Sequence, residues 1–326
     1  MLPLWLFTVG ITFYVSFYVI PRASGDIGRL GLIPFGNDYN LFLEQKMIKD
    51  IYVNTIDQRE SIKDMKTDVL TIGDSFSQQK QEGYQNYLSL YGLSVTNISR
   101  SIFSEPIQYA YNLMNNGIID STKTKVLIIE CVERDFNDRI DQFNANRQDT
   151  SKTKSDNKQN NNKLSLSRAR DFLYYQIGLE KPIYSAKLEK DFFSSTSPRD
   201  LYFYHDDIEQ EMHIKKSSES KVKEVYNTLI QKAEEKGMSI ILMIAVDKYD
   251  LYQSFIVNNP YPHKNVNEDI KRILGSSPSL LLTKNNLLPL LKAGEKDIFK
   301  YNDTHWSYKA SKVIAKDLYN RIQFLR

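Results

Sequence analysis

The chain is poor in cysteine, with only Cys131 among its 326 residues. A lone thiol cannot form an intrachain disulfide, and zinc sites of the CxxC kind are excluded with it. Cys131 sits inside the apolar run VLIIECV, where a thiol behaves as a small buried hydrophobe. Net charge is also scarce. Lys and Arg number 43 against 40 Asp and Glu, a balance of +3 with no long basic cluster, which gives no case for nucleic-acid binding. Charged residues are missing altogether from Leu2 to Ile20 (LPLWLFTVGITFYVSFYVI). Apolar residues are almost missing from Asn144 to Lys163. That stretch cannot bury enough surface to offset chain entropy, so it is expected to be a disordered surface insertion.

The uncharged N-terminal segment is just long enough to span a hydrocarbon core. It is rich in aromatics and has no small-residue A-x-A cleavage site, so residues 1–21 read as an uncleaved transmembrane anchor. Arg22 and Arg29 follow it. By the positive-inside rule alone they would keep the bulk of the chain in the cytoplasm. Residues 22–65 read as a linker, rich in Gly and Pro at first and then carrying apolar residues at mixed helical spacing that predict a helix or two.

From Thr67 onward strands alternate with helices. Strands are predicted at Val69–Ile72, Leu93–Ile98, Val126–Val132 and Ser239–Val246. Helices are predicted at Gln81–Tyr91, Pro106–Asn115, Leu166–Ile177 and Lys221–Lys236, and a last helix buries Ala310, Val313, Ile314, Leu318 and Ile322. The continuous apolar run Val126–Val132 suits a strand covered on both faces. The alternation predicts an α/β fold over residues 66–326, a doubly wound parallel sheet with right-handed crossovers.

In such sheets chemistry gathers at the carboxyl ends of strands. The first predicted strand of the domain ends in Gly73-Asp74-Ser75-Phe76-Ser77. Gly, Asp and Ser also build ordinary turns, so Ser75 is a nucleophile only if a base accompanies it. Of the four histidines, His205, His213 and His263 lie in polar or turn-like sequence. His305 lies in YNDTHWSYKAS, just before the last helix, with Asp303 two residues upstream. An extended Asp-x-His would place both side chains on one side of the chain, letting Asp303 orient the imidazole that activates Ser75. The competing reading is that Asp303-Thr304 caps the helix. Glu133-Arg134-Asp135 follow the predicted strand Val126–Val132, and Asp247-Lys248-Tyr249 follow Ser239–Val246. Additional metal ligands around Asp303 and His305 are lacking, and no metal or cofactor is expected.

Gly-Asp-Ser after the first strand with Asp-x-His near the C-terminus resembles the SGNH (GDSL-like) hydrolase superfamily, whose fold is a flavodoxin-like three-layer sandwich. GDSFS, IIECVERDF (Ile128–Phe136), VDKYDLY (Val246–Tyr252) and DTHWS (Asp303–Ser307), in this order, resemble the SGNH-like domain of alginate-type polysaccharide O-acetylation proteins. The resemblance implies Ser75 as acyl-accepting nucleophile, His305 as base, Asp303 as its orienting residue, and the Ser75 N–H as an oxyanion donor. The superfamily's second donor is a glycine N–H, but NISRSIFSEP (Asn97–Pro106) has no glycine, which leaves Ser99 or Ser101 in its place. The usual Asn donor is replaced by Glu133-Arg134. Arg134 would either face an oxyanion or pair with Glu130 or Asp135. Lys248 and Tyr252 match a family motif at the mouth of the sheet.

The resemblance also implies a domain outside the cytoplasm, acting on a polysaccharide, with the acetyl donor delivered by a membrane-bound O-acyltransferase. It implies an O-acetyltransferase. A carbohydrate esterase with the same triad and a non-catalytic assembly factor are the alternatives.

Overall fold

A computed structural model describes residues 2–14, 25–27, 48–63, 65–119, 123–147, 178 and 183–325. The expected helix Leu166–Ile177 and most of the expected insertion at 144–163 lie outside these residues.

Six strands form one parallel sheet. In chain order they are β1 (Asn54–Ile56), β2 (Val69–Ile72), β3 (Val95–Ile98), β4 (Val126–Val132), then β7 (Ser239–Ala245) and β8 (Leu280–Leu282). Between β4 and β7 the chain makes a two-stranded antiparallel hairpin, β5 (Ile183–Lys187) and β6 (Asp200–Tyr204). The sheet order is β1-β3-β2-β4-β7-β8 and every pairing in it is parallel. The order reverses beside β2, so the carboxyl ends of β2 and its neighbours border a crevice.

Among the described residues the helices are α1 (Leu2–Tyr14), α2 (Tyr84–Ser89), α3 (Pro106–Asn115), α4 (Phe136–Gln142), α5 (Asp206–Glu209), α6 (Glu219–Glu235), α7 (Lys248–Tyr252), α8 (Val266–Leu274), α9 (Lys284–Lys292) and α10 (Tyr308–Leu325). Strand alternation sorts the sheet's side chains into two cores. Val126, Ile128, Ile241 and Met243 pack with α2, α9 and α10 on one face. Leu127, Ile129, Ile240 and Leu242 pack with α3, α4, α6 and α8 on the other. This gives three layers, with β4 buried along its whole length. Cys131 is fully buried in the second core, and that burial pushes its thiol well above the ordinary value, leaving it protonated and unreactive.

Pro106–Asn115 and Val126–Val132 have the predicted bounds, and the stripe Val222, Val225, Tyr226, Leu229 and Ala233 is buried along α6. Differences lie elsewhere. The described part of 38–64 holds the edge strand β1 and a 3₁₀ turn at Arg59–Ile62, not a helix. The predicted helix Gln81–Tyr91 splits into a 3₁₀ turn at Lys80–Glu82 and α2. Among the described residues no helix is long and apolar enough to cross a membrane. Helix α1 has 13 residues, about 20 Å at 1.5 Å per residue, against a hydrocarbon core of about 30 Å. Residues 15–20 lie outside the described set.

Candidate active site

β2 ends at Ile72, and the chain turns through Gly73 and Asp74 into a single 3₁₀ turn, Ser75–Gln78. Glycine is required at 73 by close approach. A Cβ there would lie 2.3 Å from Ser77 Oγ and 2.4 Å from Glu130 Oε2, distances no heavy-atom contact tolerates. What occupies that space is a buried hydrogen-bond set. Glu130 Oε2 accepts from Ser77 N at 3.2 Å and from Ser77 Oγ at 2.9 Å, and Ser77 Oγ meets Tyr84 Oη at 3.0 Å. Asp74 latches the other side of the turn. Its Oδ2 accepts from Val132 N at 3.1 Å and its Oδ1 from Arg139 Nη2 at 2.7 Å. Gly-Asp-Ser is thus a turn and also a mount, and it holds Ser75 half-exposed while both its neighbours are buried. The turn starts at Ser75, so this residue's own N–H has no acceptor within it.

The Asp-Thr-His loop closes from the opposite side. An antiparallel bridge pairs Phe299 with Trp306, and Lys300 N donates to His305 O at 3.0 Å. The stretch is a tight turn, not the extended chain expected from the sequence. Asp303 Oδ1 accepts from the His305 backbone N–H at 3.1 Å and meets His305 Nδ1 at 2.6 Å. The Nδ1–H is therefore committed to Asp303 and Nε2 is the free ring nitrogen. Asp303 does not cap the last helix. Ser307 does, accepting from Lys309 N at 3.2 Å. Burial alone would raise the Asp303 carboxyl, but the Lys300 ammonium and the hydrogen bonds from His305 outweigh it and hold Asp303 well below the usual carboxylate range. Asp303 is therefore a carboxylate at any working pH.

Phe76 ties the two halves together. Its ring packs at 5.1 Å from His305 and 4.4 Å from Trp306, and Gln79 Nε2 donates to Trp306 O at 2.9 Å. Ser75 and His305 line one cavity of about 710 Å³ with Gln78, Gln79, Lys80, Glu82 and Lys300. No direct Ser75–His305 hydrogen bond is formed among the described residues. Such contacts commonly tighten only when substrate is bound. Lys80 is held at φ 52, a conformation that costs energy for a residue with a Cβ and clusters at functional sites. A second cavity of about 270 Å³ adjoins the first across Gln78 and Lys80, lined by Thr55, Ser77, Gln85, Asn97 and Ser99.

The remaining candidates take other places. Ser99 is the N-cap of a 3₁₀ turn, and its Oγ is 2.8 Å from that of Ser101. Ser99 lines the second cavity, and neither serine reaches the Ser75 cavity. Arg134 turns away, with Nη1 at 2.7 Å from Asp247 and 3.2 Å from Asp207, and neither Glu130 nor Asp135 is its partner. Lys248 is fully buried, and Nζ donates to the carbonyls of Lys300 at 2.8 Å, Tyr301 at 3.2 Å and Asp303 at 2.9 Å. It supports the loop from beneath and does not line the cavity. Tyr252 is also buried, and its hydroxyl accepts from Phe299 N at 3.4 Å.

Asp26, Asp303 and His305 bring three ligand-type atoms within 4.8 Å. A tetrahedral cation with arms of about 2.1 Å would spread its ligand atoms by about 3.4 Å, whereas Asp303 Oδ1 and His305 Nδ1 are 2.6 Å apart. The Lys300 ammonium lies 3.3 Å from Asp303 Oδ2, which places positive charge beside that carboxylate.

Sequence reasoning missed the Gly25–Ile27 segment, the Lys300–Glu82 pair at 2.8 Å and the Asp74–Arg139 latch. Only the chain's folding brings these groups together, and no local signal announces them. Set against models of protein families, curated proteins and solved structures, the chain matches none.

Proposed function

We propose that this protein is a membrane-anchored, extracytoplasmic O-acetyltransferase of the SGNH kind, acting on a polysaccharide through an acyl-serine. The observation that carries the reading is that a half-exposed serine at a strand's carboxyl end shares a cavity with a histidine whose Nδ1 is held by a buried carboxylate. In this reading Ser75 Oγ attacks the acetyl carbonyl while its proton passes to His305 Nε2. The proton then goes to the departing donor group as the acetyl–donor bond breaks. A sugar hydroxyl next attacks acetyl-Ser75, giving its proton to His305, and the proton returns to Ser75 Oγ as the ester forms on the sugar. Asp303 stabilises the imidazolium at each step.

Two further features support the reading. The adjoining cavity offers the amides and hydroxyls of Thr55, Gln78, Gln85, Asn97 and Ser99 beside the apolar Ile51 and Val53 and the cationic Lys80, a mixed lining that can take a polyhydroxylated acceptor. Trp5, Leu6, Phe7 and Val9 of α1 are exposed, an apolar surface that a bilayer would cover.

The test uses the full chain in detergent with an activated acetyl ester, with and without oligosaccharides. Intact mass and acetyl transfer are followed for wild type and Ser75→Ala. Serine-dependent acetyl-protein and acetyl-sugar are expected. Serine-dependent free acetate alone would make the protein an esterase, and no serine-dependent turnover on any ester would leave a non-catalytic assembly factor.

A further inference from the structure

The second cavity opens on a row of polar side chains at the edge of the sheet. Thr55 of β1, Asn97 of β3 and Thr71 of β2 are register partners, so they share one sheet face. Farther along the same row, Ile128 and Ile241 belong to the first core. Polar side chains thus replace apolar ones only where the row nears β1. Thr71 and Asn97 are buried, and buried polar groups are costly unless paired. Gln85 of α2 fixes how they pair. Its Nε2 donates to Ser77 O at 2.9 Å and to Asn97 Oδ1 at 3.4 Å. Asn97 Oδ1 also accepts from Thr71 Oγ1 at 2.7 Å. The oxygen of the Asn97 amide is therefore turned toward β2 and α2. Its Nδ2 donates to no acceptor among the described residues and is left toward the cavity that Asn97 lines.

We propose that the second cavity is a subsite for one neutral sugar ring of the acceptor glycan, the ring next to the one that is acetylated, and that Asn97 Nδ2 is the donor that holds it. A buried amide with an unused N–H group costs free energy that a ligand oxygen removes. The hydroxyls of Thr55 and Ser99 stand beside it, and the aliphatic Ile51 and Val53 offer a surface for the C–H face of a pyranose. Ser99 Oγ is steadied by Ser101 Oγ at 2.8 Å. The cavity volume of about 270 Å³ lies below the range of pockets for drug-sized ligands, which suits a single ring. Gln78 and Lys80 line this cavity and the Ser75 cavity alike, so a chain with one ring here carries its neighbour toward Ser75. That the neighbour is acetylated rests on the function proposed above, whereas the binding is independent of it. A linked acceptor should accordingly be preferred to a monosaccharide.

Binding is read by saturation-transfer NMR on the full chain in deuterated detergent, with Ser75→Ala present so that nothing turns over. The probes are maltotetraose, cellotetraose, tetra-N-acetylchitotetraose and tetragalacturonate. At least one neutral tetrasaccharide should bind. Asn97→Asp keeps an oxygen toward Thr71 and Gln85 but removes the N–H donor, and it should weaken that binding about tenfold. Where circular dichroism shows that Asn97→Asp does not fold, Thr55→Val and Ser99→Ala, at the open side of the cavity, should each weaken binding about threefold. With Ser75 intact, the tetrasaccharide should be acetylated at a lower KM than its monosaccharide, and Asn97→Asp should narrow the gap. Binding of no neutral tetrasaccharide, binding of tetragalacturonate alone, or affinity unchanged in the folded variants would overturn the inference. Asn97-dependent binding in a protein without acetyl transfer would sink the catalytic reading and leave the subsite standing. Acetyl transfer to sugar that is indifferent to Asn97 and to acceptor length would do the reverse.

Discussion

Replacing Gly73 by alanine tests whether the Gly-Asp-Ser turn is a mount built by close packing. The added Cβ would sit 2.3 Å from Ser77 Oγ, 2.4 Å from Glu130 Oε2 and 2.6 Å from Glu130 Cβ. Real Cβ contacts stay beyond 3.0 Å, so β4 and the turn must separate by at least half an ångström. Both are buried, and neither can yield by rotating a flexible tip into solvent. Overpacking of this kind costs about 1–3 kcal/mol. Parting Glu130 from Ser77 forfeits two hydrogen bonds of about 1 kcal/mol each and strands a buried carboxyl. Overpacking and the two hydrogen bonds together come to about 3–5 kcal/mol. Urea denaturation of the full chain, followed by intrinsic fluorescence, reads it directly. Ser77→Ala in the Gly73→Ala background should recover part of the loss, because it removes the nearest clash. A loss below about 1 kcal/mol for Gly73→Ala would refute the argument that contact, not turn chemistry, demands glycine here.

Other expectations concern single groups. Ser75→Ala should abolish serine-dependent acyl transfer and change stability by less than about 0.5 kcal/mol, since a hydroxyl at a half-exposed strand end contributes little; a large fall in melting temperature would mark Ser75 as a structural turn residue. Burial, aided by the Asp74 charge, raises the Glu130 carboxyl to about 8. A raised acid contributes its full stability below the unfolded value and loses it as pH rises to the folded one, so wild type should lose about 1 kcal/mol per pH unit relative to Glu130→Gln between pH 5 and 8. Parallel denaturation curves across that range would contradict the assignment. Burial also drives Lys248 down to about 7, so below that pH the fold carries the cost of a buried ammonium. Stability of wild type relative to Lys248→Met should therefore rise from pH 7 toward 10, and a flat difference would show that the three carbonyls fully offset burial. Asp303→Asn should lower turnover about 10⁴-fold, by analogy with other triads, without unfolding the chain by circular dichroism.

What the sequence made legible depended on how local the cause was. Helix α3 begins at a proline and β4 is one apolar run, and both came with correct bounds. Strand β1 is only Asn54–Ile56 and exists because it pairs with Thr96–Ile98 of β3, a reason its own residues do not carry. The hairpin β5–β6 and the strand β8 also escaped reading, the latter a Leu-Leu-Leu run too short to tell from helix. The same rule holds at the site. Ser75, Asp303 and His305 stand in compact motifs, and the structure brings Ser75 and His305 to one cavity. The Thr304–Asp26 hydrogen bond spans 278 positions, and the Lys248–Asp303 hydrogen bond spans 55. Lys248 stands at the carboxyl end of β7, where the sequence places it, but its side chain points under the loop and not into the cavity, a choice that its position after a strand does not decide.

The geometry beneath that loop has an arithmetical side. Lys248 Nζ serves the carbonyls of Lys300, Tyr301 and Asp303. An ammonium has three hydrogens and satisfies all of them, whereas a neutral amine has two and must leave one carbonyl buried without a donor. The turn that carries Asp303 and His305 therefore sits on a tripod whose third leg is a single proton. Arginine could not replace it, because a flat guanidinium fork cannot point at three carbonyls converging on one atom. A residue that never touches the cavity thus sets, by its hydrogen count, how firmly the base is held above it.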